Sequence, residues 1–350
     1  MMETNIMIGD RIIGQNSPCY IIAEMSANHG QNIDRAIEII HMAKKSGADC
    51  VKVQTYTADT ITMNSDKEYF KVNNGIWEGK KLYNLYHEAH MPWEWQKVLK
   101  EEAEKIGLDF LATPFDKSAV DFLEGLDVKF YKIASQEVVD IPLIKYIASK
   151  GKPIILSTGM AYLGEIEYAV NTIRAQGNNK ICLLKCSSTY PAIEDDMNLN
   201  TLPNLQDTFN CVIGLSDHTM GSVSAIAAVA LGAKVIEKHI CVSRKIETAD
   251  SQFSMEPHEF SKMIEDIRQT EIALGKISYQ LSEREKASKR YRKSIFVVKD
   301  IKKDECFTEE NIKVIRPSHG LEPLYYDQII GKRASSDIEP GTPLAWELIS

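Results

Sequence analysis

Two histidines, two lysines and a series of hydroxyls and carboxylates stand at the ends of short apolar runs in this chain, and those are the groups that could do chemistry. His218 closes Gly214-Leu215-Ser216-Asp217-His218, and His239 closes Ile236-Glu237-Lys238-His239. If both runs are adjacent parallel strands, about 4.8 Å apart, the two imidazoles can converge on one ion. Glu24, at the end of the first such run, would join them if the sheet closes on itself. Two nitrogens beside a carboxylate suit an open Mn²⁺, Mg²⁺, Fe²⁺, Co²⁺ or Zn²⁺ site, and two histidines do not choose among these metals. The plainer reading is that the histidines are hydrogen-bonded rim residues. Lys52 and Lys132 lie on buried runs, where a cation is costly unless its charge is matched. Phosphate and carboxylate are natural counter-charges, with the hydroxyls of Thr113, Ser135, Ser157, Ser188 and Ser216 completing an oxyanion cradle. A Schiff-base lysine, or structural ion pairs with Glu137 or Glu237, are the alternatives.

These residues need a frame that brings eight strand ends together. Apolar runs suited to buried parallel strands recur at Tyr20–Glu24, 51–54, 109–112, 130–134, Ile154–Ser157, 181–185, 212–216 and Val235–His239. Helix-period segments separate them; in residues 33–45, Ile33, Ala36, Ile37, Ile40 and Ala43 repeat on one face. Pro142 and Pro257 sit where first helical turns would begin, and Gly47, Gly107, Gly151 and Gly232 near helix ends. Eight alternations predict a (β/α)8 TIM barrel, whose functional groups gather at the carboxyl ends of the strands. The rival is a doubly wound open sheet. It would carry a glycine-rich turn after its first strand, where this chain has Glu24-Met25-Ser26-Ala27-Asn28-His29-Gly30. The connection from Thr55 to Pro92, with Trp77, Tyr83, Tyr86 and Trp93, is long enough for a lid or substrate wall, or for aromatics packed on the rim. The pattern changes after residue 277. A charged stretch, 278–293, reads as a linker, and 294–350, with short alternating runs and turn signals at Pro317, Pro323 and Pro340-Gly341, as a small β-rich domain. So few residues make a marginal core, which predicts docking onto a partner surface.

Composition sets outer limits. Of 350 residues, 41 are basic and 49 acidic, a net charge of −8 that argues against a nucleic-acid partner without excluding a phosphorylated substrate. Seven cysteines without a CxxC pair fit reduced thiols and a cytoplasmic setting. Residues 1–11 lack the apolar core of a signal peptide, and 223–236 is too short and too interrupted to span a membrane.

Together these motifs carry a resemblance. Glu24-Met25-Ser26-Ala27-Asn28-His29, Lys52-Val53-Gln54, Thr113-Pro114-Phe115, Tyr131-Lys132-Ile133-Ala134-Ser135, Ser157-Thr158-Gly159-Met160, Gly214 to Thr219 and Ile236 to His239 resemble the sialic acid synthase family. The tail, with Arg316-Pro317 and Gly341-Thr342-Pro343-Leu344, is similar to that family's antifreeze-like (SAF) domain. The resemblance implies a TIM barrel and SAF domain in a domain-swapped homodimer, condensing phosphoenolpyruvate with an acetamido sugar by C–O cleavage. It implies a divalent metal, Mn²⁺ or Mg²⁺ with Co²⁺ as a third candidate, on His218 and His239. It implies phosphoenolpyruvate on Lys52, Thr113, Lys132, Ser135, Ser157, Ser188 and Ser216, and the sugar on Glu24, Gln54, Glu137, Tyr190 and Asp250, with Arg316 reaching across the dimer. Glu24, Lys52, Lys132, His218 and His239 would be catalytic. Ser188 stands where neuraminate synthases have Asn, and Glu247-Thr248-Ala249 precedes Asp250 where Gly-Pro is usual. Leu82-Tyr83-Asn84-Leu85-Tyr86, Pro92-Trp93-Glu94-Trp95 and Lys185-Cys186-Ser187-Ser188-Thr189-Tyr190-Pro191 look most like the pseudaminic acid branch, ahead of the neuraminate and legionaminate branches. Two other classes stay open: a Schiff-base pyruvate lyase on the same barrel, and a carbohydrate- or ice-binding module.

Overall fold

The computed structural model describes residues 5–14, 16–73 and 75–350, in two units, Met1–Gly275 and Lys276–Ser350. The first unit opens with an antiparallel hairpin, β1 (Asn5–Ile8) and β2 (Arg11–Gly14), turned at Gly9-Asp10 with Gly9 at φ +56°. The sequence reading did not anticipate this hairpin. Eight parallel strands follow: β3 (Tyr20–Glu24), β4 (Cys50–Thr55), β5 (Asp109–Pro114), β6 (Tyr131–Ile133), β7 (Ile154–Ser157), β8 (Ile181–Cys186), β9 (Val212–Asp217) and β10 (Val235–His239). They close as β10-β3-β4-β5-β6-β7-β8-β9, the expected barrel in sequential order.

Each strand is followed by helix. α1 (Ile33–Ser46) starts because the Asn32 side chain accepts from the Arg35 N–H, and it stops at Gly47, φ +95°. Between β4 and β5 lie three helices, α2 (Ala58–Ile61), α3 (Leu82–Ala89) and α4 (Trp93–Lys105). Then come α5 (Lys117–Gly125), α6 (Ile141–Ala148), α7 (Leu163–Ala175), α8 (Thr201–Phe209), α9 (Val223–Ala230) and α10 (Pro257–Leu274), with Pro142 and Pro257 in first turns as expected.

Strand alternation divides the barrel into two cores. Outward residues such as Ile21, Val51, Ile133, Leu156, Leu183 and Leu215 pack under the helices. Inward residues form a separate cluster at the amino-terminal end of the barrel: Tyr20, Ile22, Cys50, Leu111, Phe130, Ile155, Cys182, Leu184, Val212 and Val235. Ile6, Ile8 and Ile13 of the hairpin belong to that cluster and are at most 3% exposed, so the hairpin stoppers this end. Gly214 is also inward; a Cβ there would lie 2.3 Å from the Val235 carbonyl oxygen and 2.6 Å from Leu184 Cδ2, so only glycine fits. One step further along the strands the inward positions turn polar, and the site begins there.

The second unit holds α11 (Glu283–Ser288), the two-stranded sheet β11 (Ser294–Val297) and β12 (Ile312–Ile315), and α12 (Tyr326–Ile329). Its core is Ile295, Val297, Ile301, Phe307, Ile312, Ile329, Ala334, Ile338 and Leu344. The stretch expected as linker is tied to this unit, because Ser318 bonds the carbonyls of Lys289 and Arg290. Among the described residues no helix is long and apolar enough to cross a membrane.

Candidate active site

The inward polar layer lines a cavity of about 510 Å³ at the carboxyl end of the barrel. Register sets its floor: Glu24 pairs with Lys52 on one side and His239 on the other, and Glu237 pairs with Ser216. Lys52 Nζ lies 3.1 Å from Glu24 Oε2, 3.1 Å from Glu237 Oε1 and 3.4 Å from Thr113 Oγ1. Lys132 Nζ donates to Ser157 Oγ at 2.7 Å and to the Ile133 carbonyl at 3.1 Å, with Glu237 Oε1 at 3.9 Å. Two buried ammonium groups therefore face two carboxylates of unequal character. Burial pushes Glu24 up to about 7 against the pull of Lys52. Burial would also raise Glu237, but Lys132 and Lys52 outweigh it and hold that carboxyl below the usual range. Burial lowers Lys132. The ion-pair alternative is thus realised through Glu237 and not through Glu137, whose Oε2 has no partner, with Glu24 as a further partner of Lys52, while Lys132 stays the less fully matched cation.

The two imidazoles do converge. Their ring centres are 5.3 Å apart. With a metal–nitrogen bond of about 2.1 Å and about 1.1 Å from nitrogen to ring centre, two imidazoles on one ion would stand roughly 4.5–5.4 Å apart. His218 Nδ1 donates to the Ser187 carbonyl at 2.9 Å, which leaves Nε2 as its lone-pair nitrogen. His239 Nδ1 is buried with no hydrogen-bond partner, an orphaned polar atom of the kind a bound ion satisfies. The pair fits a divalent ion. Among the described residues no group of three or more His, Cys, Asp or Glu is arranged to hold one, so water and substrate oxygens would complete the shell. Burial and then His218 lower His239 well below the usual range. For His218 burial is outweighed by the neighbouring Cys186 thiol, 3.8 Å from Nδ1, and the imidazole is raised.

Beside Lys132 is a small cradle. The Gly159 N–H donates to Ser135 Oγ at 3.1 Å, and a Cβ on Gly159 would lie 2.2 Å from Ser188 Oγ and 2.8 Å from Ser135 Oγ. Glycine here lets two hydroxyls sit over the backbone. Ser135, Ser157 and Ser216 line the cavity; Thr113 stands behind Lys52, and Ser188 reaches Cys186 Sγ at 3.7 Å.

Of the residues expected to face a sugar, Glu24, Gln54, Glu137, Tyr190 and Asp250 all line the cavity. Gln54 Nε2 is committed to Glu24 Oε1, 3.1 Å, and Ser26 Oγ, 2.9 Å, so it orients the carboxylate. Asp250 accepts from the Ala27 N–H at 2.9 Å, and burial raises it. Burial pushes Glu137 up to about 7, and its Oε2 is unpartnered. Tyr190 packs on His218, ring centres 4.4 Å apart. Arg316 is exposed, in the second unit.

Several contributors were not singled out from sequence. Cys186 is an inward residue of β8, and Phe253 packs 5.0 Å from His239. The 55–92 segment does form a wall of the cavity, through Tyr56, Ile61, Val72, Trp77, Leu82, Leu85, Tyr86 and Ala89. Trp77 is latched there, its Nε1–H donating to the Ala249 carbonyl at 3.1 Å. Conversely, Asp217 and Lys238 point out of the barrel and pair with each other at 2.6 Å, so neither is available to a substrate.

Comparison with known proteins shows what the chain is similar to. Pseudaminic acid synthase of Campylobacter jejuni is 44% identical over 325 residues, 93% of this chain and 95% of that protein. The pseudaminic acid synthase of Helicobacter pylori is 43% identical over 94% of this chain and 97% of its own length. The crystal structure of N-acetylneuraminic acid synthetase from Leptospira borgpetersenii, in complex with citrate, superposes with a TM-score of 0.73. It is 32% identical and covers 82% of this chain and 95% of that one. The SAF domain profile matches residues 292–350 and the NeuB family profile residues 39–279. The chain belongs to the NeuB family.

Proposed function

We propose that this chain condenses phosphoenolpyruvate with 2,4-diacetamido-2,4,6-trideoxy-L-altrose, releasing phosphate and forming pseudaminic acid. The observation that carries this reading is the convergence of Lys52, Lys132, His218 and His239 on one cavity floor, in a chain 44% identical over 93% of its length to a pseudaminic acid synthase. Lys52 and Lys132, with the hydroxyls of Ser135, Ser157, Ser188 and Ser216, hold the phosphate and carboxylate of phosphoenolpyruvate, and Thr113 positions Lys52. C3 of phosphoenolpyruvate attacks the sugar aldehyde, whose oxygen becomes a hydroxyl on taking up a proton. Water then adds at C2 of the former phosphoenolpyruvate, giving its proton to the Glu24 carboxylate, which Gln54 holds in place. The tetrahedral intermediate collapses to the 2-keto acid as the C2–O bond to phosphate breaks. A divalent ion on His218 and His239, Mn²⁺ or Mg²⁺ with Co²⁺ as a third candidate, supplies Lewis-acid polarisation of the aldehyde when bound. Glu137, Tyr190 and Asp250 contact the sugar.

The quaternary part of the proposal is a homodimer in which the 294–350 domain of one subunit caps the barrel of the other, bringing Arg316 to the sugar, with 278–293 as the connecting segment. Exposed apolar side chains at the barrel rim, among them Met160, Tyr162, Ile193 and Val223, support an assembly. The seven unpaired cysteines support a reducing, cytoplasmic setting.

The test is a substrate panel read by mass spectrometry: the altrose derivative, N-acetylmannosamine and the legionaminate precursor, each with phosphoenolpyruvate. The altrose derivative should give the nine-carbon 2-keto acid; turnover of N-acetylmannosamine alone would reject the sugar assignment. With ¹⁸O in the bridging position, label should leave in phosphate, and label kept in the keto acid would reject C–O cleavage. Dialysis against EDTA should abolish turnover and added Mn²⁺ restore it, whereas full activity after dialysis would remove the metal from the scheme.

A further inference from the structure

The cavity has two unlike sides. Its floor is charged, with the lysines, carboxylates and imidazoles described above, while the side built by the 55–92 segment is almost wholly carbon. The most regular part of that side is α3. Leu82, Leu85, Tyr86 and Ala89 follow the i, i+3, i+4, i+7 spacing, and all four line the cavity. Such a stripe ordinarily turns onto a protein core. Here it turns onto open space, and Leu82, Tyr86 and Ala89 stay only half-buried. Val72 adds to this apolar surface. The indole N–H of Trp77 is already spent on Ala249, so the phenol hydroxyls of Tyr56 and Tyr86 are the polar atoms this side offers.

A doubly anionic substrate must sit on the lysine floor. The aldehyde end of its sugar partner must point down to it, and the far end of the sugar, its C6 methyl, then meets the carbon wall. We infer that the α3 stripe, with Val72 beside it, is the specificity surface for the C6 end of the sugar: it accepts the C6 methyl and disfavours a substrate with a hydroxyl there. This rests on the sugar assignment proposed above. A hydroxyl pressed against Leu82, Leu85 or Val72 finds neither donor nor acceptor on those side chains, and an apolar pocket rejects an added hydroxyl by about 100-fold.

The test compares kcat/KM for 2,4-diacetamido-2,4,6-trideoxy-L-altrose with that for its 6-hydroxy counterpart, in wild type and in Leu82→Asn, Leu82→Ala and Val72→Thr. Leu82→Asn keeps roughly the size of leucine but makes it polar, Val72→Thr is isosteric, and Leu82→Ala is smaller but still apolar. Wild type should prefer the 6-deoxy sugar by about 100-fold. The two polar variants should each cut that ratio about tenfold, with KM for phosphoenolpyruvate unchanged; Leu82→Ala should slow both sugars while keeping the preference. Thermal melting verifies that each variant is folded, and Val72→Thr carries the test alone where Leu82→Asn is not. An unchanged ratio in folded, active polar variants, or a wild type indifferent to the 6-hydroxyl, overturns this inference while leaving the sugar assignment standing. A wild type that condenses neither altrose derivative overturns the sugar assignment and this inference with it.

Discussion

Lys132 has its nearest carboxylate oxygen at 3.9 Å and is held chiefly by Ser157 and a carbonyl, so among the floor cations it has most to gain from an arriving anion. Lys132→Met should lower kcat/KM about 10²- to 10³-fold, as loss of a preorganised charge does, with KM for phosphoenolpyruvate raised in initial-rate measurements. Gly159→Ala should act on the same substrate from the backbone side. Its Cβ displaces the Ser135 and Ser188 hydroxyls, and KM for phosphoenolpyruvate should rise about tenfold, the loss of roughly one hydrogen bond, with little change in the sugar's KM. Glu137 gives a stability prediction with a definite sign. Its carboxyl is raised from 4.5 to about 7 by burial, so the folded state holds a proton that the unfolded chain has lost. That contribution is complete below about pH 4.5 and fades as pH rises through about 7. Glu137→Gln should therefore raise the melting temperature by a few degrees at pH 8 and leave it unchanged at pH 4. An equal effect at both pH values would mean that burial does not raise this carboxyl.

The eight strands were legible in the sequence because each is a short, largely apolar run with a polar residue in it or next to its end; Tyr20–Glu24, Ile154–Ser157 and Val235–His239 were read to the residue. What single runs do not show is which side each polar residue takes. In Ser216-Asp217-His218 and Glu237-Lys238-His239, strand parity sends Ser216, His218, Glu237 and His239 inward and Asp217 and Lys238 outward. Counting alternate positions from the apolar Val212 and Val235 would have separated them, and counting from Cys182 would also have found Cys186. The outward pair makes an element-scale prediction. Lys238 Nζ bonds Asp217 Oδ2 and the Thr219 carbonyl, and Asp217 Oδ1 accepts from both the N–H and the hydroxyl of Thr219. Asp217→Ala strands a buried ammonium and should cost about 3–5 kcal/mol in denaturant unfolding, whereas Asp217→Leu combined with Lys238→Met should cost far less. The α3 stripe was less legible, because i, i+3, i+4 spacing alone does not tell a helix facing a core from one facing a ligand.

At the scale of the whole molecule the hairpin was missed because each of its strands has four residues, below the length at which alternation stands out; Gly9-Asp10 between two isoleucine-rich runs was the available signal. Two dead variants can test the proposed exchange of small domains. Arg316→Ala and His218→Ala, each inactive alone, should regain activity when unfolded together and refolded as mixed dimers, since one composite site then carries both native residues; no recovery would mean that Arg316 serves the barrel of its own chain and would reject the exchange, whereas an active Arg316→Ala variant would place Arg316 outside the reaction. The stoppered barrel floor has a kinetic consequence. Ile6, Ile8 and Ile13 seal the far end, so both reactants share a single doorway, and the one that belongs at the bottom must go in first. Phosphoenolpyruvate would then load ahead of the sugar in a compulsory order, and an unreactive sugar analogue should inhibit uncompetitively against phosphoenolpyruvate.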